Sequence, residues 1–239
     1  MATCKRCGCE RSVKNGKVRG KVRYKCKECG LNFVEGDGRV NESLVVKKAL
    51  AVILYALGKA SFNMLGKIFG HSPSLLYRWI VEEMAKLPEP EVPGDIKEME
   101  FDEMGHFIGS KKNKLWIIKA VDRGTGRTIA WVVGGRDAAT FGRLYDKVKH
   151  LTDCIFYTDG WDAFAQHLPP ERHVIGKAGT ITIEHDNSNT RHHLGRMTRR
   201  TKVVSKKAQM VYDSIKLWVA LTTPDLFHRY QNTFLSIFR

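Results

Sequence analysis

The sequence predicts an α/β domain that follows two smaller N-terminal segments, and three observations support this fold class. Five of the six cysteines fall within residues 1–29, four of them in two Cys-x2-Cys pairs. Helical periodicity covers residues 43–85, and alternating strand patterns with intervening helices begin near residue 97. A stretch with three prolines and no periodicity separates the helical and strand-rich parts, which is typical of a linker. The predicted segments are therefore 1–40, 41–87, the linker 88–96, and 97–239.

The composition indicates a globular protein that binds a polyanion. The chain has 239 residues, 43% of them hydrophobic, and its 40 Lys and Arg against 25 Asp and Glu give a formal charge of +15. The stretch 49–58 is too short for a membrane span, which needs about 18 apolar residues, and the N-terminus has no apolar signal core. We therefore expect a soluble intracellular protein, and nucleic acid is the commonest partner of such a positive charge.

The positive charge lies in two clusters. Residues 1–40 contain eleven basic and four acidic residues, and residues 191–207 contain seven basic residues and no acid. Each cluster alone could be a solvated face, but together they favour two contacts with a phosphate backbone. The candidate DNA contacts in these clusters are Arg19, Lys21, Arg23, Arg191, Arg196, Arg199, Arg200 and Lys202.

The cysteine spacing predicts a structural zinc site. Two Cys-x2-Cys turns, separated by 18 residues that resemble a hairpin, can form a tetrahedral site of four thiolates. Gly30 would permit the tight backbone of the second turn. Disulfides are the alternative, and an intracellular chain favours zinc. The predicted ligands are Cys4, Cys7, Cys26 and Cys29, and Cys9 could substitute for one of them.

The helical segment contains a candidate helix-turn-helix. Ser61 predicts the start of one helix and Gly70 its end, and Ser72-Pro73 is a start signal for the next. Two short helices in this arrangement match a motif whose second helix enters the DNA major groove. A plain three-helix packing module is the alternative. The candidate DNA contacts on the second helix are Ser74, Tyr77 and Arg78.

Three carboxylates are candidates for a catalytic site. Asp102 lies in the first predicted strand of the last segment and Asp159 ends the fourth, and these strands can be neighbours. Glu184 begins a polar helical stretch, with Asp186 as its alternative. Clustered acids repel one another, and a divalent cation such as magnesium or manganese removes that repulsion. Two such ions can activate an attacking water and stabilise the leaving oxygen of a phosphodiester.

Each acid could instead be a helix cap or turn residue. Asn187 and Arg191 follow Glu184 at helical spacing, and their side chains are suited to contacts with DNA phosphates and bases.

The order of these motifs resembles the insertion-sequence transposases of the IS1 family. The resemblance rests on the cysteine module, the helix-turn-helix, Phe-Asp-Glu-Met at 101–104, Thr-Asp-Gly-Trp at 158–161 and Ile183-Glu184. It implies a ribonuclease-H-like catalytic domain with a DDE triad. By position that triad falls on Asp102, Asp159 and Glu184, with 56 and 24 residues between successive members.

The resemblance also implies a role for each part. The zinc ribbon and helix-turn-helix would bind the terminal inverted repeats of double-stranded DNA. The triad would hold magnesium ions, cleave the element's ends and join the exposed 3′ hydroxyls to target DNA. A homodimer or higher oligomer, acting at the nucleoid in a prokaryotic cytoplasm, is expected. The alternatives are a DNA-binding regulator without catalysis and a nuclease that cuts without joining.

Overall fold

The chain forms two compact units, residues 1–48 with 233–239 and residues 49–232. The computed structural model describes residues 2–5, 9–28, 30–36 and 42–236, apart from the side chains of residues 42 and 43. Within those ranges, every helix is too short or too polar to cross a membrane.

The N-terminal unit contains a small antiparallel sheet of β1 (Ser12–Val18), β2 (Lys21–Cys26) and β3 (Asn32–Val34). Val18 pairs with Lys21 across the turn residues Arg19 and Gly20, whose φ angles are 47° and 76°. Two residues with positive φ form the tight turn that suits the twist of a hairpin. The hairpin predicted between the two cysteine pairs is therefore present.

The described core of this unit is very small. Cys4 and Cys26 are buried together with Ala2 and Phe33. Gly30 has a φ of 68°, the left-handed conformation predicted for the second cysteine turn. The other two predicted zinc ligands, Cys7 and Cys29, lie outside the described residues.

The helical segment contains α1 (Glu42–Ala56), α2 (Phe62–Phe69) and α3 (Pro73–Lys86). Ser61 caps α2 by accepting a hydrogen bond from the Met64 amide, and Gly70 ends that helix with a φ of 66°. Ser72 caps α3, whose first residue is Pro73. The sequence signals for these helix ends are confirmed.

A mixed sheet forms the centre of the second unit. Its strands are β4 (Glu98–Phe107), β5 (Lys114–Asp122), β6 (Arg127–Gly134), β7 (Ile155–Thr158) and β8 (His173–Ile175). Among the described residues the sheet has five strands in the order β6-β5-β4-β7-β8. β5 runs antiparallel to both β4 and β6, whereas β4, β7 and β8 are parallel. The first and fourth strands, β4 and β7, are neighbours as predicted.

Helices cover both faces of this sheet. They are α4 (Ala138–Val148), α5 (Asp162–Ala165), α6 (Ile181–His193) and α7 (Ala208–Leu221). The last helix, α8 (Pro224–Leu235), instead bonds to α3 through Tyr230, whose hydroxyl donates to Glu83 at 3.1 Å. On one face, Phe101 of β4 packs against Phe141 of α4 and Phe164 of α5. On the other face, Lys119 of β5 contacts α6, and Trp131 of β6 packs against Tyr212 of α7. The result is an α/β fold with a helical layer on each side.

The turn between α1 and α2 is bonded to the C-terminal end of α6. The Lys59 amide donates to the His193 carbonyl at 2.9 Å, and His193 Nδ1 lies 2.8 Å from the Leu57 carbonyl oxygen. A Cβ atom at Gly195 would lie 2.8 Å from the Lys59 carbonyl oxygen, so only glycine fits this approach without displacement. The helical segment and the sheet layer are thus in direct contact.

The predicted linker 88–96 has no regular secondary structure, and α7 holds its first part in place. Tyr212 donates a hydrogen bond to Glu89, and Lys216 Nζ donates to the Leu87 carbonyl at 3.2 Å. Ile96 at its end is buried in the core of the sheet layer. This segment is therefore packed against the domain that follows it.

Candidate active site

Three carboxylates meet at one edge of the mixed sheet. Asp102 and Glu103 lie on β4, and Asp159 directly follows β7. Glu100 of β4 pairs with Tyr157 of β7 in the parallel register. Asp102 and Asp159 each lie two residues further along the chain, so they come at matching positions. One carboxylate oxygen from each of Asp102, Glu103 and Asp159 lies within 4.8 Å of the others. The strand order thus places Asp102 and Asp159 together, as the sequence predicts.

Glu184 lies at the same site but on a different element. A cleft of about 500 Å³ has Asp102 and Glu103 on its β4 side and Glu184, Asn187 and Arg191 on its α6 side, with Arg199 also lining it. Glu184 is exposed, in the first turn of α6. The cleft therefore combines carboxylates with two guanidinium groups, a combination that suits a metal ion together with a phosphate group.

Polar contacts attach α6 to the sheet. This helix lies wholly within the described chain and buries Ile183 together with three polar residues, Asp186, Asn187 and Thr190. Glu100 Oε2 accepts a hydrogen bond from the Ile183 amide at 2.8 Å, which places a carboxylate at the positive end of the helix dipole. Asn187 Nδ2 donates to Asp102 Oδ2 at 2.8 Å.

A buried ion pair fixes the middle of α6. Lys119, which is fully buried on β5, pairs with Asp186 and donates to Thr190 Oγ1 at 2.9 Å. Thr128 donates to the same Asp186 carboxylate at 2.7 Å. Asp186 is thus used inside the protein, whereas Glu184 faces the cleft. Of the two acids that the sequence left open, Glu184 is the one positioned to contact a ligand.

The carboxylates at the sheet edge are electrostatically unfavourable on their own. Burial, followed by the negative charge of Glu103, raises the pKa of Asp102 to about 6, and the hydrogen bond from Asn187 opposes this shift. Burial also raises the pKa of Glu103, which the Arg136 guanidinium opposes. Crowded carboxylate oxygens are the ligands that hard divalent cations prefer. The cluster therefore fits a divalent metal ion.

Most predicted DNA contacts are on the surface of their elements. Exposed side chains are those of Arg19, Lys21, Ser74, Tyr77, Arg78, Arg199, Arg200 and Lys202. Arg23 is half-buried, and its Nε donates to the Asn15 carbonyl at 2.8 Å. Arg191 is half-buried and donates to the carbonyls of Gly105 and Met197.

Two predicted DNA contacts need correction. Arg196 is buried, and its guanidinium donates to the Tyr55 hydroxyl at 2.7 Å and to Ser205 Oγ at 3.2 Å. Asn187 is also buried, with its amide directed at Asp102. Their residue types suggested DNA binding, but both side chains act inside the protein.

Glu103 and Arg136 also lie at this site, although no sequence motif marks them as site residues. Arg136 Nε donates to Glu103 Oε1 at 2.9 Å, and its guanidinium lies 5.2 Å from the ring centroids of both Trp116 and Trp161. The one available signal was the pair of adjacent acids on β4. Alternation along a strand directs neighbouring side chains to opposite faces, so two adjacent acids do not by themselves indicate a shared site.

The fold and the site together define a class of protein. A mixed α/β sheet with carboxylates in the middle of one strand, directly after its parallel neighbour and on a covering helix is compatible with a ribonuclease-H-like DDE domain. A family model described as IS1 transposase matches residues 96–222, which is more than half of the 239-residue chain. The chain belongs to the IS1 transposase family.

The chain is also similar to InsB proteins of IS1 insertion elements. The chain is 36% identical over 110 residues to insertion element IS1 2 protein InsB of Escherichia coli (strain K12). That alignment covers 46% of this chain and 66% of the relative, just under two thirds of its length. Insertion element IS1 protein InsB of Shigella sonnei is 35% identical over 111 residues, which cover 46% of this chain and 85% of the relative.

Removing one partner of the buried Lys119–Asp186 pair should destabilise the protein more than the absence of the pair itself does. Lys119→Met leaves a buried carboxylate without its cation and should lower the free energy of unfolding by about 3–5 kcal/mol. Lys119→Met with Asp186→Leu should cost less than the sum of the two single changes, because neither charge is left alone. Urea denaturation of the three variants measures this coupling. Lys149→Met, which breaks an exposed pair with Asp146, is the control and should have little effect. Losses of unfolding free energy in the Lys119 and Asp186 single variants that simply add in the double variant would contradict the expectation.

The raised pKa of Asp102 predicts a pH-dependent stability without added divalent cations. Because the folded pKa is about 6 and the unfolded value is 3.8, the native state holds more protons between these values. The free energy of unfolding contributed by Asp102 should therefore fall as the pH rises from about 4 to 7. Asp102→Asn should remove this fall and gain at most about 3 kcal/mol relative to the natural protein at pH 7.

Urea unfolding at several pH values tests this expectation. The exposed Asp153→Asn is the matched control, because it makes the same substitution at a surface carboxylate outside the site. A constant difference between the Asp102→Asn variant and the natural protein from pH 4 to 7 would be inconsistent with a raised pKa.

Proposed function

We propose that this protein is a DNA transposase that cleaves DNA at the ends of its insertion element and joins those ends to target DNA. The observation that carries this proposal is the convergence of Asp102 and Asp159 within 4.8 Å, beside a cleft that Asp102 lines together with Glu184 of α6. Family membership supports the same activity. We place its action in the cytoplasm, at the prokaryotic nucleoid.

The catalytic groups of the proposed reaction are Asp102, Asp159 and Glu184. Magnesium or manganese bound by these carboxylates would activate the attacking oxygen and stabilise the leaving oxygen of the phosphodiester. Asn187 holds one oxygen of Asp102, which leaves the other oxygen for a metal ion. Arg191 and Arg199 line the cleft and would hold the scissile phosphate.

The reaction would proceed at this cleft in two steps, cleavage of the element end and joining to the target. In the first, water attacks the phosphorus at an element end, and the P–O3′ bond breaks to leave a free 3′ hydroxyl. In the second, that hydroxyl attacks a phosphodiester of the target DNA, forms a new P–O bond and releases a target 3′ hydroxyl. The joining step breaks one phosphodiester bond and forms another, so this step needs no external energy source.

The N-terminal segments would bind the terminal inverted repeats. Ser74, Tyr77 and Arg78 are exposed on α3, where a recognition helix presents its side chains to the major groove. The exposed Arg19 and Lys21, with Arg23, would contact phosphates from the small sheet. Because two ends must be processed together, we propose a homodimer or higher oligomer. The proposed division into domains remains 1–40, 41–87 and 97–239, with residues 88–96 between the last two.

The cysteine module would be a zinc ribbon with Cys4, Cys7, Cys26 and Cys29 as ligands. The described core around Cys4 and Cys26 includes only Ala2 and Phe33 as further buried apolar residues. So small a core cannot offset the loss of chain entropy by itself, and a bound metal ion would supply much of the folding free energy.

This module should contain about one zinc ion per chain. Cys26→Ser should abolish most zinc binding, measured by elemental analysis of the purified protein, and should unfold the small sheet. Cys154→Ala is the matched control because Cys154 is buried in the separate sheet layer. A Cys26→Ser protein with the natural zinc content would contradict the ribbon.

Strand transfer with purified protein, magnesium and DNA carrying the ends of the element tests the proposed function. The natural protein should give joined products, and Asp102→Asn, Asp159→Asn or Glu184→Gln should each lower the yield at least about 1,000-fold, because each removes a metal ligand. DNA binding should persist in all three. The neighbouring His185→Gln, on the exposed side of α6, is the control and should retain joining.

Other outcomes of this experiment favour the alternatives. DNA binding without metal-dependent cleavage would indicate a regulator, and cleavage without joined products would indicate a nuclease. Full activity of the Glu184→Gln protein would exclude Glu184 from the triad.

A further inference from the structure

We propose that Glu103 is a fourth carboxylate ligand of the metal site, and that Arg136 competes with the metal ion for this carboxylate. The inference rests on the proposed function and adds to it a ligand outside the Asp102, Asp159 and Glu184 triad. The positively charged guanidinium of Arg136 lowers the affinity of this site for divalent metal ions.

The position of Glu103 is the first argument. Its carboxylate lies within 4.8 Å of ligand oxygens of both Asp102 and Asp159. Glu103 therefore completes a three-carboxylate group on the sheet itself. Glu184 approaches the same cleft from α6 and is exposed. A first metal ion bound by Asp102, Glu103 and Asp159 would need no movement of α6.

An unsatisfied oxygen is the second and independent argument. The Glu103 side chain is only 6% exposed. Its Oε2 atom is buried and has no hydrogen-bond partner among the described residues. A buried carboxylate oxygen without a partner is costly, so such an atom marks a place where a ligand binds. A divalent cation between the three carboxylates would satisfy it.

Arg136 engages only one oxygen of this carboxylate. Both its Nε and its Nη2 donate to Glu103 Oε1, which leaves Oε2 free. The guanidinium also lies 5.2 Å from the rings of Trp116 and Trp161, within the range of cation–π attraction. These rings hold Arg136 beside Glu103, where its positive charge opposes that of an incoming metal ion. Loss of Arg136 should therefore strengthen metal binding.

Binding of Mn²⁺ to the zinc-loaded full-length protein, measured by electron paramagnetic resonance without DNA, tests this inference. Glu103→Gln should weaken Mn²⁺ binding about tenfold or more. Arg136→Gln should tighten it, and this gain should disappear when Glu103→Gln is also present, because the competition acts through that carboxylate. Glu98→Gln on the same strand is the matched control and should bind as the natural protein does.

Several outcomes would overturn the inference. The first is that Glu103→Gln binds Mn²⁺ as tightly as the natural protein does. The second is that the gain in Mn²⁺ affinity from Arg136→Gln persists in the double variant. If Glu103→Gln does not fold, Arg136→Gln decides, because it removes the positive charge beside the intact Glu103 carboxylate. Tighter Mn²⁺ binding by Arg136→Gln supports the competition, and unchanged affinity refutes it.

The Asp102→Asn protein separates this inference from the proposed function. Binding of Mn²⁺ that depends on Asp102 and is unchanged in Glu103→Gln would refute only the role of Glu103. A natural protein that binds no Mn²⁺ would contradict the metal-dependent function and this inference with it.

Discussion

The arrangement of the candidate site depends on the buried ion pair between Lys119 and Asp186. The helix α6 has a single large apolar anchor, Ile183, so hydrophobic packing alone does not determine its position. The ion pair and the contacts to Glu100 and Asp102 do so instead. Polar contacts of this kind require specific geometry, which gives α6 a defined rotation on the sheet. That rotation directs Glu184 outward into the cleft and Asp186 inward.

The same polar layer concentrates negative charge at the sheet edge. Asp102 is part of two arrangements, since it belongs to the carboxylate group and also accepts the amide of Asn187 from α6. Binding a divalent cation would therefore affect both the electrostatics of the strand edge and the attachment of the helix. The negative charge of the candidate site and the attachment of α6 are thus coupled through the Asp102 side chain.

Much of the fold and part of the site could be predicted from local sequence. Helix ends at Ser61, Gly70 and Ser72 follow from backbone chemistry within a few residues. The meeting of Asp102 and Asp159 follows from strand order. Burial could not be predicted in this way: Arg196 was assigned to DNA from its residue type, yet distant residues enclose it. The position of Glu103 beside Asp102 and Asp159 was not predicted, because alternation along a strand directs adjacent side chains to opposite faces.

The close contact between the α1–α2 turn and the end of α6 limits how this protein can be recombined. The proline-rich segment 88–96 suggests a natural joint at which domains could be exchanged between relatives. However, Lys59 and His193 share a hydrogen bond, and Gly195 leaves no room for a side chain beside Lys59. A chimera joined at that segment would keep its chain continuous yet place mismatched surfaces together. The two parts would therefore have to be exchanged together to keep this contact, although the sequence between them resembles a linker.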